Sequence, residues 1–401
     1  MTKKVSLVYL GFAVSEEVER KVTELDAMPH FATHKFSWSV IRSLHKKFDF
    51  VYNISSCDIR NYPAVPKLYF PPFFFSRSGV KGCFIGFVNY LFLKHLSRIL
   101  ILTFILSGVV LRYRSRYILV HGTHTPFMLV AVLIKLFSRA RILILLTDQH
   151  GRVVSSDGWV GRLLRSFDTV LMRALLYRFD AYICLSFAFI SKFDLHNAIV
   201  VPGILSEDFK VSINANRALA SEAPKSVDVV FAGGISEENG VDRLIQAFFE
   251  LRNSNARLIF YGAGPLVEDV RLAAVRDLRI SYGGVLIGDE LSRGLLSASL
   301  LVNPRPVGEE FAQTSFPSKL IEYMATGVPV LTTPLMCIPD DLNDCLYFTD
   351  GDSSECILKA LVNVLRIAPG ERHRVGSLAA KKVESLCSET AFADRVNEVL
   401  S

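Results

Sequence analysis

Short runs of apolar residues recur along the whole chain, separated by polar loops rich in glycine, proline or histidine. Such continuous runs are typical of parallel strands that are buried on both faces. The runs predicted as strands are residues 5–10, 49–55, 117–120, 141–146, 180–185, 198–202, 227–231, 258–260, 280–282, 300–303, 328–332 and 346–348. The pattern therefore predicts an α/β fold.

Between the predicted strands, apolar residues recur at helical spacing. The predicted helices are residues 34–47, 127–137, 161–177, 242–251, 289–298, 317–326, 353–367, 370–386 and 391–400. Residues 206–226 are polar and rich in asparagine and alanine, which predicts a domain boundary there. A length of 401 residues suits two domains of roughly 200 residues each.

One apolar segment, residues 99–111, carries no charge and is 13 residues long. A helix that spans a bilayer needs about 20 apolar residues, and extending this one backward meets Arg98, His95 and Lys94. We therefore predict a buried helix. A helix that dips into a membrane surface is the alternative.

Seven aromatic and proline residues follow one another at 69–75, with Lys67, Arg77 and Lys81 nearby. Two interpretations remain open. The segment could pack into the core, or its aromatic and basic residues could contact lipid, since both residue types suit the membrane interface.

Charge is distributed unequally along the chain. Residues 1–205 hold 26 Lys and Arg against 12 Asp and Glu, a net charge of +14, whereas the remaining residues carry −8 of the total of +6. A basic half suits nucleic acid, an anionic membrane or a phosphorylated substrate. Because no nucleic-acid-binding motif accompanies it, we expect no nucleic acid partner.

The seven cysteines form no C-x-x-C pair and are odd in number, which favours neither a disulfide framework nor a zinc site. We expect no metal and no cofactor. The first ten residues have a short apolar run and no small-residue cleavage site, so we interpret them as a strand rather than a signal peptide. A cytoplasmic location is expected.

The predicted helix at 317–326 carries the main candidate site. Pro317 suits a first helical position, and Lys319 and Glu322 share one helix face. The amides and positive dipole end of a helix start favour an anion, Lys319 adds charge, and Glu322 could accept hydrogen bonds from sugar hydroxyls. The alternative is an ordinary surface helix with a weak Lys–Glu pair.

The phrase Asn-Pro-Arg-Pro at 303–306, followed by Phe-Pro-Ser-Lys-Leu-Ile-Glu-Tyr at 316–323, closely resembles the nucleotide-sugar motif of family 4 glycosyltransferases. The resemblance implies the GT-B fold, an α/β architecture of two Rossmann-like parallel-sheet domains facing across a cleft. Residues 1–205 would be the acceptor-binding domain and residues 206–386 the nucleotide-sugar-binding domain. Residues 387–401 would form a terminal helix that crosses back to the N-terminal domain.

The resemblance also implies a donor site, including Glu322 as the ligand of the donor ribose and residues near Val285 and Leu286 as the nucleobase pocket. The expected donor-binding residues are Gly233, Gly234, Arg305, Glu310, Thr314, Ser315, Phe316, Ser318, Lys319 and Glu322. Glycines at 233 and 234 would let backbone amides approach a phosphate closely.

The sequence departs from the family at two places. The glycine loop lacks the Arg and Lys that many members use to hold the diphosphate, because Gly233 and Asn239 stand there. Thr314 stands where the family usually has a second acidic residue, for which Glu309 or Glu310 could substitute. The positive charge is therefore expected from Arg305 and Lys319.

Two predicted strands of the basic half end in polar loops that contain histidine. The expected acceptor-side residues are Gly11, His121, His124, Asp148 and His150. Ligands gather at the carboxyl ends of parallel strands, although each residue taken alone is as well explained by loop polarity. Asp148, His150, Arg305 and Lys319 are the candidate catalytic residues.

The resemblance implies a retaining glycosyltransferase that moves a sugar from a nucleotide diphosphate sugar to a lipid-linked or saccharide acceptor in surface polysaccharide synthesis. The expected partners are the donor, a glycan or polyprenyl-linked acceptor and an anionic membrane surface, with the enzyme peripheral at the inner face. Two alternatives remain: a nucleotide-sugar 2-epimerase of the same fold, and a non-catalytic membrane-associated protein with a degenerate nucleotide site.

Overall fold

The computed structural model describes residues 6–25, 31–147, 159–217, 227–308 and 316–400. The chain divides into two compact units, of which the first contains residues 1–201 and 389–401 and the second contains residues 202–388. The observed boundary lies slightly before the expected one at 205/206. The last helix, Glu389–Leu400, belongs to the first unit.

An eight-stranded sheet forms the centre of the first unit, in the order β10-β9-β8-β7-β1-β2-β5-β4. All neighbouring pairs are parallel except β4–β5, and β3 and β6 form a separate antiparallel ribbon. The strands are β1 Ser6–Gly11, β2 Phe50–Ser55, β3 Tyr69–Phe70, β4 Phe73–Arg77, β5 Val80–Phe84, β6 Phe87–Val88, β7 Tyr117–His121, β8 Arg141–Leu146, β9 Ala181–Cys184 and β10 Ala198–Val200.

Helices cover the sheet of the first unit. They are α1 Glu16–Leu25, α2 Phe31–His45, α3 Leu91–Tyr113, α4 Thr125–Phe137, α5 Trp159–Leu176, α6 Phe187–Phe193 and, at the C-terminus, α14 Glu389–Leu400. Alternate strand residues such as Val8, Val120 and Ile144 share one apolar cluster with α3, α4 and α5. Because side chains alternate across a strand, these three helices form a layer on one face of the sheet.

The second unit contains a six-stranded, wholly parallel sheet in the order β13-β12-β11-β14-β15-β16. Its strands are β11 Val227–Gly234, β12 Ala256–Ala263, β13 Ile280–Tyr282, β14 Leu300–Asn303, β15 Val330–Thr332 and β16 Tyr347–Phe348. Its helices are α7 Glu207–Arg217, α8 Val241–Glu250, α9 Val267–Arg276, α10 Gly288–Leu296, α11 Ser318–Thr326, α12 Ser354–Arg366 and α13 Pro369–Cys387. Two apolar clusters fill the space between the sheet and its helices.

Parallel strands joined by helices confirm the predicted α/β class. The prediction of a buried helix at 99–111 is wrong for its outer side. The helix extends over Leu91–Tyr113, and side chains such as Leu100 and Phe104 point to solvent. A hydrophobic run in the sequence does not show whether other elements cover both sides of the helix that it forms.

The aromatic segment at 69–75 is partly buried and partly exposed, and its contact with lipid stays a prediction. Phe70 is buried, and Phe73 and Phe75 pack against the apolar cluster that includes Val14 and Phe84. Phe74, on the edge strand β4, is exposed. Strand alternation therefore divides the aromatic rings between core and surface.

Candidate functional site

The carboxyl end of β11 in the second unit is a glycine turn packed against its neighbours. Gly262 has φ +133°, and a Cβ there would overlap the carbonyl oxygen of Gly233. Gly240 has φ +72°, and a Cβ there would overlap the carbonyl oxygen of Pro304. Only glycine permits these approaches. The first brings the end of β12 against the end of β11, and the second brings the loop after β11 against the loop after β14.

The motif helix α11 begins at Ser318. Pro317 occupies the N-cap position, whereas it was predicted to occupy the first helical position. No described side chain caps its first amides. Gly327, in the left-handed conformation, ends the helix. Exposed Ser318 and half-buried Lys319 thus lie beside amide groups that favour an anion.

Tyr323 joins α11 to the glycine end of β11. Its hydroxyl accepts a hydrogen bond from the Ala232 amide at 2.6 Å and donates one to the Ala232 carbonyl at 2.8 Å. Burial raises the pKa of Tyr323, so the hydroxyl stays protonated and able to donate. Ala232 directly precedes Gly233, so this bond brings α11 beside the predicted glycine loop. Sequence analysis quoted Tyr323 as part of the motif but assigned it no function.

Lys319 and Glu322 form an ion pair of 2.7 Å between Nζ and Oε2. A partly exposed pair of this kind contributes at most about 1 kcal/mol, so a phosphate or a sugar hydroxyl could replace either partner at little cost. The surface-pair interpretation therefore describes the geometry seen here, and it is compatible with the donor-site interpretation.

Arg305 lies in the interior, with 5 % of its surface exposed. The Thr333 hydroxyl donates to the Arg305 carbonyl at 2.5 Å, and Asn303 donates from Nδ2 to the Thr332 hydroxyl at 2.9 Å. The pKa of the Cys337 thiol is about 11, raised by burial and opposed by the charge of Arg305. Arg305 is thus enclosed by the protein, whereas the prediction had it as a phosphate ligand beside Lys319, and that role stays a prediction.

Asp352 fixes the loop that follows β14. Its Oδ2 accepts from the Val307 amide at 2.7 Å, and its Oδ1 lies 2.9 Å from the Arg243 guanidinium. Neither Asp352 nor Arg243 was assigned a function from the sequence, because no local pattern signals a bond between positions so far apart in the chain.

The other residues predicted on the donor side lie in different surroundings. Phe316 is buried in the apolar cluster that contains Leu320, so it anchors the start of α11 from the inside. Val285 is exposed in the loop after β13, and Leu286 lies beside it. Glu310, Thr314 and Ser315, together with Glu309, lie outside the described residues.

In the first unit, His121 ends β7 in a buried network. Its Nδ1 lies 2.6 Å from the Tyr9 hydroxyl and 3.3 Å from the Ser37 hydroxyl. Burial lowers the pKa of His121 to about 4 and raises that of Tyr9. At neutral pH the imidazole is therefore uncharged, and its Nδ1 shares one hydrogen bond with the Tyr9 hydroxyl. Nε2 is buried without a hydrogen-bond partner among the described residues.

Gly11 and His124 lie near His121 at the same sheet edge. The ring of Tyr9 occupies the space that a Cβ at Gly11 would need. The ring of His124 contacts Phe127 and Phe12, with centroid distances of 4.4 and 5.4 Å. The structure thus brings Gly11, His121 and His124 together, whereas Asp148 and His150 lie outside the described residues.

Comparison with known proteins identifies the second unit. Residues 226–366 match the family model described as "Glycosyl transferases group 1". The chain is a GT-B enzyme with a group 1 glycosyltransferase domain. No curated protein matches the sequence of this glycosyltransferase.

Solved structures similar to this GT-B enzyme cover nearly its whole length. Sucrose-phosphate synthase from Thermosynechococcus elongatus is 11 % identical at a TM-score of 0.65, with 99 % of this chain and 98 % of that chain covered. HepE from Anabaena, solved with UDP, is 13 % identical at a TM-score of 0.64, with 99 % of both chains covered. Trehalose-phosphate synthase from Burkholderia xenovorans is 11 % identical at a TM-score of 0.62, with 98 % of this chain and 100 % of that chain covered. At these identities the likeness establishes the fold, and the predicted GT-B architecture is confirmed.

Proposed function

We propose that this GT-B enzyme is a retaining glycosyltransferase of family 4. It would move a sugar from a nucleotide diphosphate sugar to a lipid-linked or saccharide acceptor in surface polysaccharide synthesis. The observation that carries the proposal is the Tyr323–Ala232 pair of hydrogen bonds, which holds the start of α11 beside the glycine turn of β11 within a group 1 domain. A uridine nucleotide is the first donor to test, because HepE has been solved with UDP and with UDP-glucose.

In the proposed reaction the bond between the sugar C1 and the diphosphate oxygen breaks. A bond from C1 to an acceptor hydroxyl oxygen forms on the same face of the sugar, and the hydroxyl proton leaves with the diphosphate. Negative charge grows on the departing diphosphate. Lys319 and the amides at the start of α11 and near Gly234 would stabilise it, and Glu322 would accept from the donor ribose.

The role proposed for Arg305 changes with its burial. A buried guanidinium is better suited to positioning the loop after β14 than to contacting phosphate. Lys319 therefore becomes the main cation of the proposed site. The proposal includes no metal and no cofactor.

The acceptor would be held by the first unit. The Nε2 atom of His121 is a candidate hydrogen-bond partner of a sugar or acceptor hydroxyl, because it has no partner among the described residues. Asp148 and His150 remain predictions for proton transfer. An enzyme peripheral at the inner face of the membrane would meet a polyprenyl-linked acceptor there.

Release of UDP from UDP-sugars, measured with and without membrane lipid extract, tests the proposal. A glycosyltransferase should release UDP faster when the extract supplies an acceptor. A 2-epimerase would convert the nucleotide sugar without any acceptor, and a non-catalytic protein would bind without turnover. Product linkage analysis should give the anomeric configuration of the donor, and an inverted product would contradict the retaining mechanism.

Lys319→Ala should reduce turnover by about a hundredfold, as removal of one stabilising donor commonly does. Lys359→Ala is a matched control, because Lys359 also forms an ion pair in the second unit, with Asp350 at 2.6 Å, but it belongs to α12. Equal turnover in the two variants would show that the start of α11 is not the phosphate site.

A further inference from the structure

The outer side of α3 carries an apolar stripe that is interrupted only at Ser107 and Gly108. Leu93, Leu96, Leu100, Phe104 and Leu111 recur at helical spacing, and all are exposed; Leu100 is 63 % and Phe104 84 % exposed. The stripe is about 27 Å long at 1.5 Å per residue. Monomeric soluble proteins rarely leave so extended an apolar surface uncovered, so it indicates a binding surface.

The other two helices of the layer add to this surface. α4 packs against α3 and ends in exposed Leu136 and Phe137, and α5 packs against α4 and exposes Phe167 and Val170. Between α4 and α5 lies a groove of about 430 Å³. It is lined by Val132, Lys135, Leu136, Ala174, Leu175 and Arg178. The groove combines an apolar lining with Arg178 and with Lys135, which forms an ion pair of 2.6 Å with Asp180.

Positive charge lies at the C-terminal end of the stripe. Between Asp58 and Asp148 the chain contains twelve Lys and Arg and no Asp or Glu. Exposed cations lie in the last turn of these helices or just beyond it: Arg112, Arg114, Arg116, Arg139, Arg173 and Arg178. Anionic lipid head groups complement such a rim, whereas a second copy of the same basic face would be repelled.

The inner side of α3 is fixed to the first unit by buried cations. Lys94 donates from Nζ to the Ile59 carbonyl, and Arg98 donates from a guanidinium nitrogen to the Cys57 carbonyl at 2.6 Å. Arg98 also stacks over the Phe87 ring at 4.3 Å. The segment Leu93–Tyr113 is long and apolar enough to cross a bilayer. Crossing would break these bonds and bring two cations into hydrocarbon, which is costly.

We propose that α3, with the ends of α4 and α5, forms an in-plane docking surface for an anionic lipid membrane. The apolar stripe would enter the interface between head groups and acyl chains, and the cations would bind head groups, as in interfacial amphipathic helices. The proposal rests on the proposed function in one respect: a lipid-linked acceptor would be reached from this surface.

Vesicle flotation of the full chain tests the surface directly. We expect binding to phosphatidylcholine vesicles in which about a third of the lipid is phosphatidylglycerol, with much weaker binding to phosphatidylcholine alone. High salt should weaken binding to the anionic vesicles, because it screens the charge of the cations. Absence of binding to both kinds of vesicle would overturn the proposal.

Phe104→Glu and Leu100→Glu should each weaken vesicle binding by about tenfold or more, because a charge replaces an inserted apolar side chain. Leu278→Glu is the matched control, since Leu278 is 93 % exposed but lies in the second unit, and it should bind as the unchanged chain does. An equal loss in all three variants would contradict a specific docking surface.

Two further measurements test the two alternatives, a helix that spans the membrane and a contact between two copies of the chain. Alkaline carbonate should release the protein from vesicles, whereas retention would indicate a spanning helix and overturn in-plane docking. Light scattering should give the same mass for the unchanged chain and for Phe104→Glu. A dimer that Phe104→Glu converts to a monomer, without vesicle binding, would assign the stripe to contact between two copies.

The same variants distinguish this inference from the proposed function. Phe104→Glu should retain UDP binding in the absence of lipid, because α3 and the donor site belong to different units. If the unchanged chain binds vesicles but no nucleotide, the enzyme proposal fails and the docking surface stands.

Discussion

One buried hydroxyl group couples the motif helix to the glycine end of β11. Tyr323 uses it as both donor and acceptor toward the same residue, Ala232. Lys319 and Glu322 lie on the same helix, so their position relative to Gly233 depends on this bond. The residue that places the site is thus distinct from the residues that would contact the donor.

Tyr323→Phe should lower the free energy of unfolding by roughly 1–3 kcal/mol, because it leaves a buried amide and carbonyl unpaired. It should also raise the KM for the donor, because the start of α11 is less firmly held. Urea unfolding and steady-state kinetics measure both effects.

Tyr347→Phe is a matched control for this change. The Tyr347 hydroxyl is buried without a hydrogen-bond partner among the described residues. Its removal should leave stability and KM unchanged. If both variants behave alike, the Tyr323–Ala232 bond does not position the helix.

His121 should make stability depend on pH. Its pKa is about 4 in the folded chain, below the ordinary value of 6.5, because burial disfavours the charged ring. Between these values the unfolded chain binds more protons than the folded chain, so stability falls as pH falls from about 6.5 to 4. The contribution lost amounts to about 3 kcal/mol.

His121→Gln should flatten this part of the pH profile of unfolding, since glutamine does not titrate. NMR titration of the histidines should give one imidazole that remains neutral down to about pH 4. A His121 that titrates near 6.5 would contradict the buried Tyr9–His121 network.

At the scale of whole elements, the last helix, α14, packs against α2 of the first unit. Glu389 at its start is 1 % exposed at its side chain and lies 3.0 Å from Arg42 and 2.9 Å from Lys46. A carboxylate at a helix start is also favoured by the helix dipole. These ion pairs fix the point at which the chain returns to the first unit.

Glu389→Ala should destabilise the first unit by about 2 kcal/mol, because it removes the buried member of two ion pairs. Asp394→Ala is the matched control: Asp394 of α14 pairs at 2.7 Å with Lys47, just after α2, but both side chains are exposed. The control should change stability by less than about 0.5 kcal/mol. Thermal unfolding of both variants compares them directly, and a similar effect of the two would contradict this account of the buried pair.

The elements that sequence analysis could predict are those with a local signal. Apolar runs marked β1, β8 and β11, and Gly327 marked the end of α11. The features that it could not predict depend on which other part of the protein covers a given surface. The run at 99–111 has the same composition whether its outer side is covered or open, and the burial of Arg305 depends on packing between distant parts of the chain.

The candidate site divides in the same way. Lys319 and Glu322 could be placed on one helix face from their spacing alone. The bonds of Tyr323 to Ala232 and of Asp352 to Val307 join positions far apart in the chain. No local pattern signals them, so they required the fold.

At the scale of the whole molecule, the two halves of the chain differ in net charge, and this difference matches the two functions proposed for them. Residues 1–205 carry a net charge of +14 and include the acid-free stretch around α3, which suits a membrane surface and a phosphorylated acceptor. The remaining residues carry −8, so the proposed diphosphate site depends on local groups rather than on overall charge. Lys319 and the helix amides must then supply most of the attraction.

Calorimetric titration of nucleotide diphosphates into the unchanged chain, Lys319→Ala and Lys359→Ala tests the central claim most directly. We predict that at least one nucleotide diphosphate, UDP first, binds the unchanged chain and the Lys359→Ala variant equally. Binding to Lys319→Ala should be about tenfold weaker or more, as expected when a charged hydrogen-bond donor is lost. If no nucleotide diphosphate binds the unchanged chain, or if both variants bind it equally, the donor site does not lie at the start of α11.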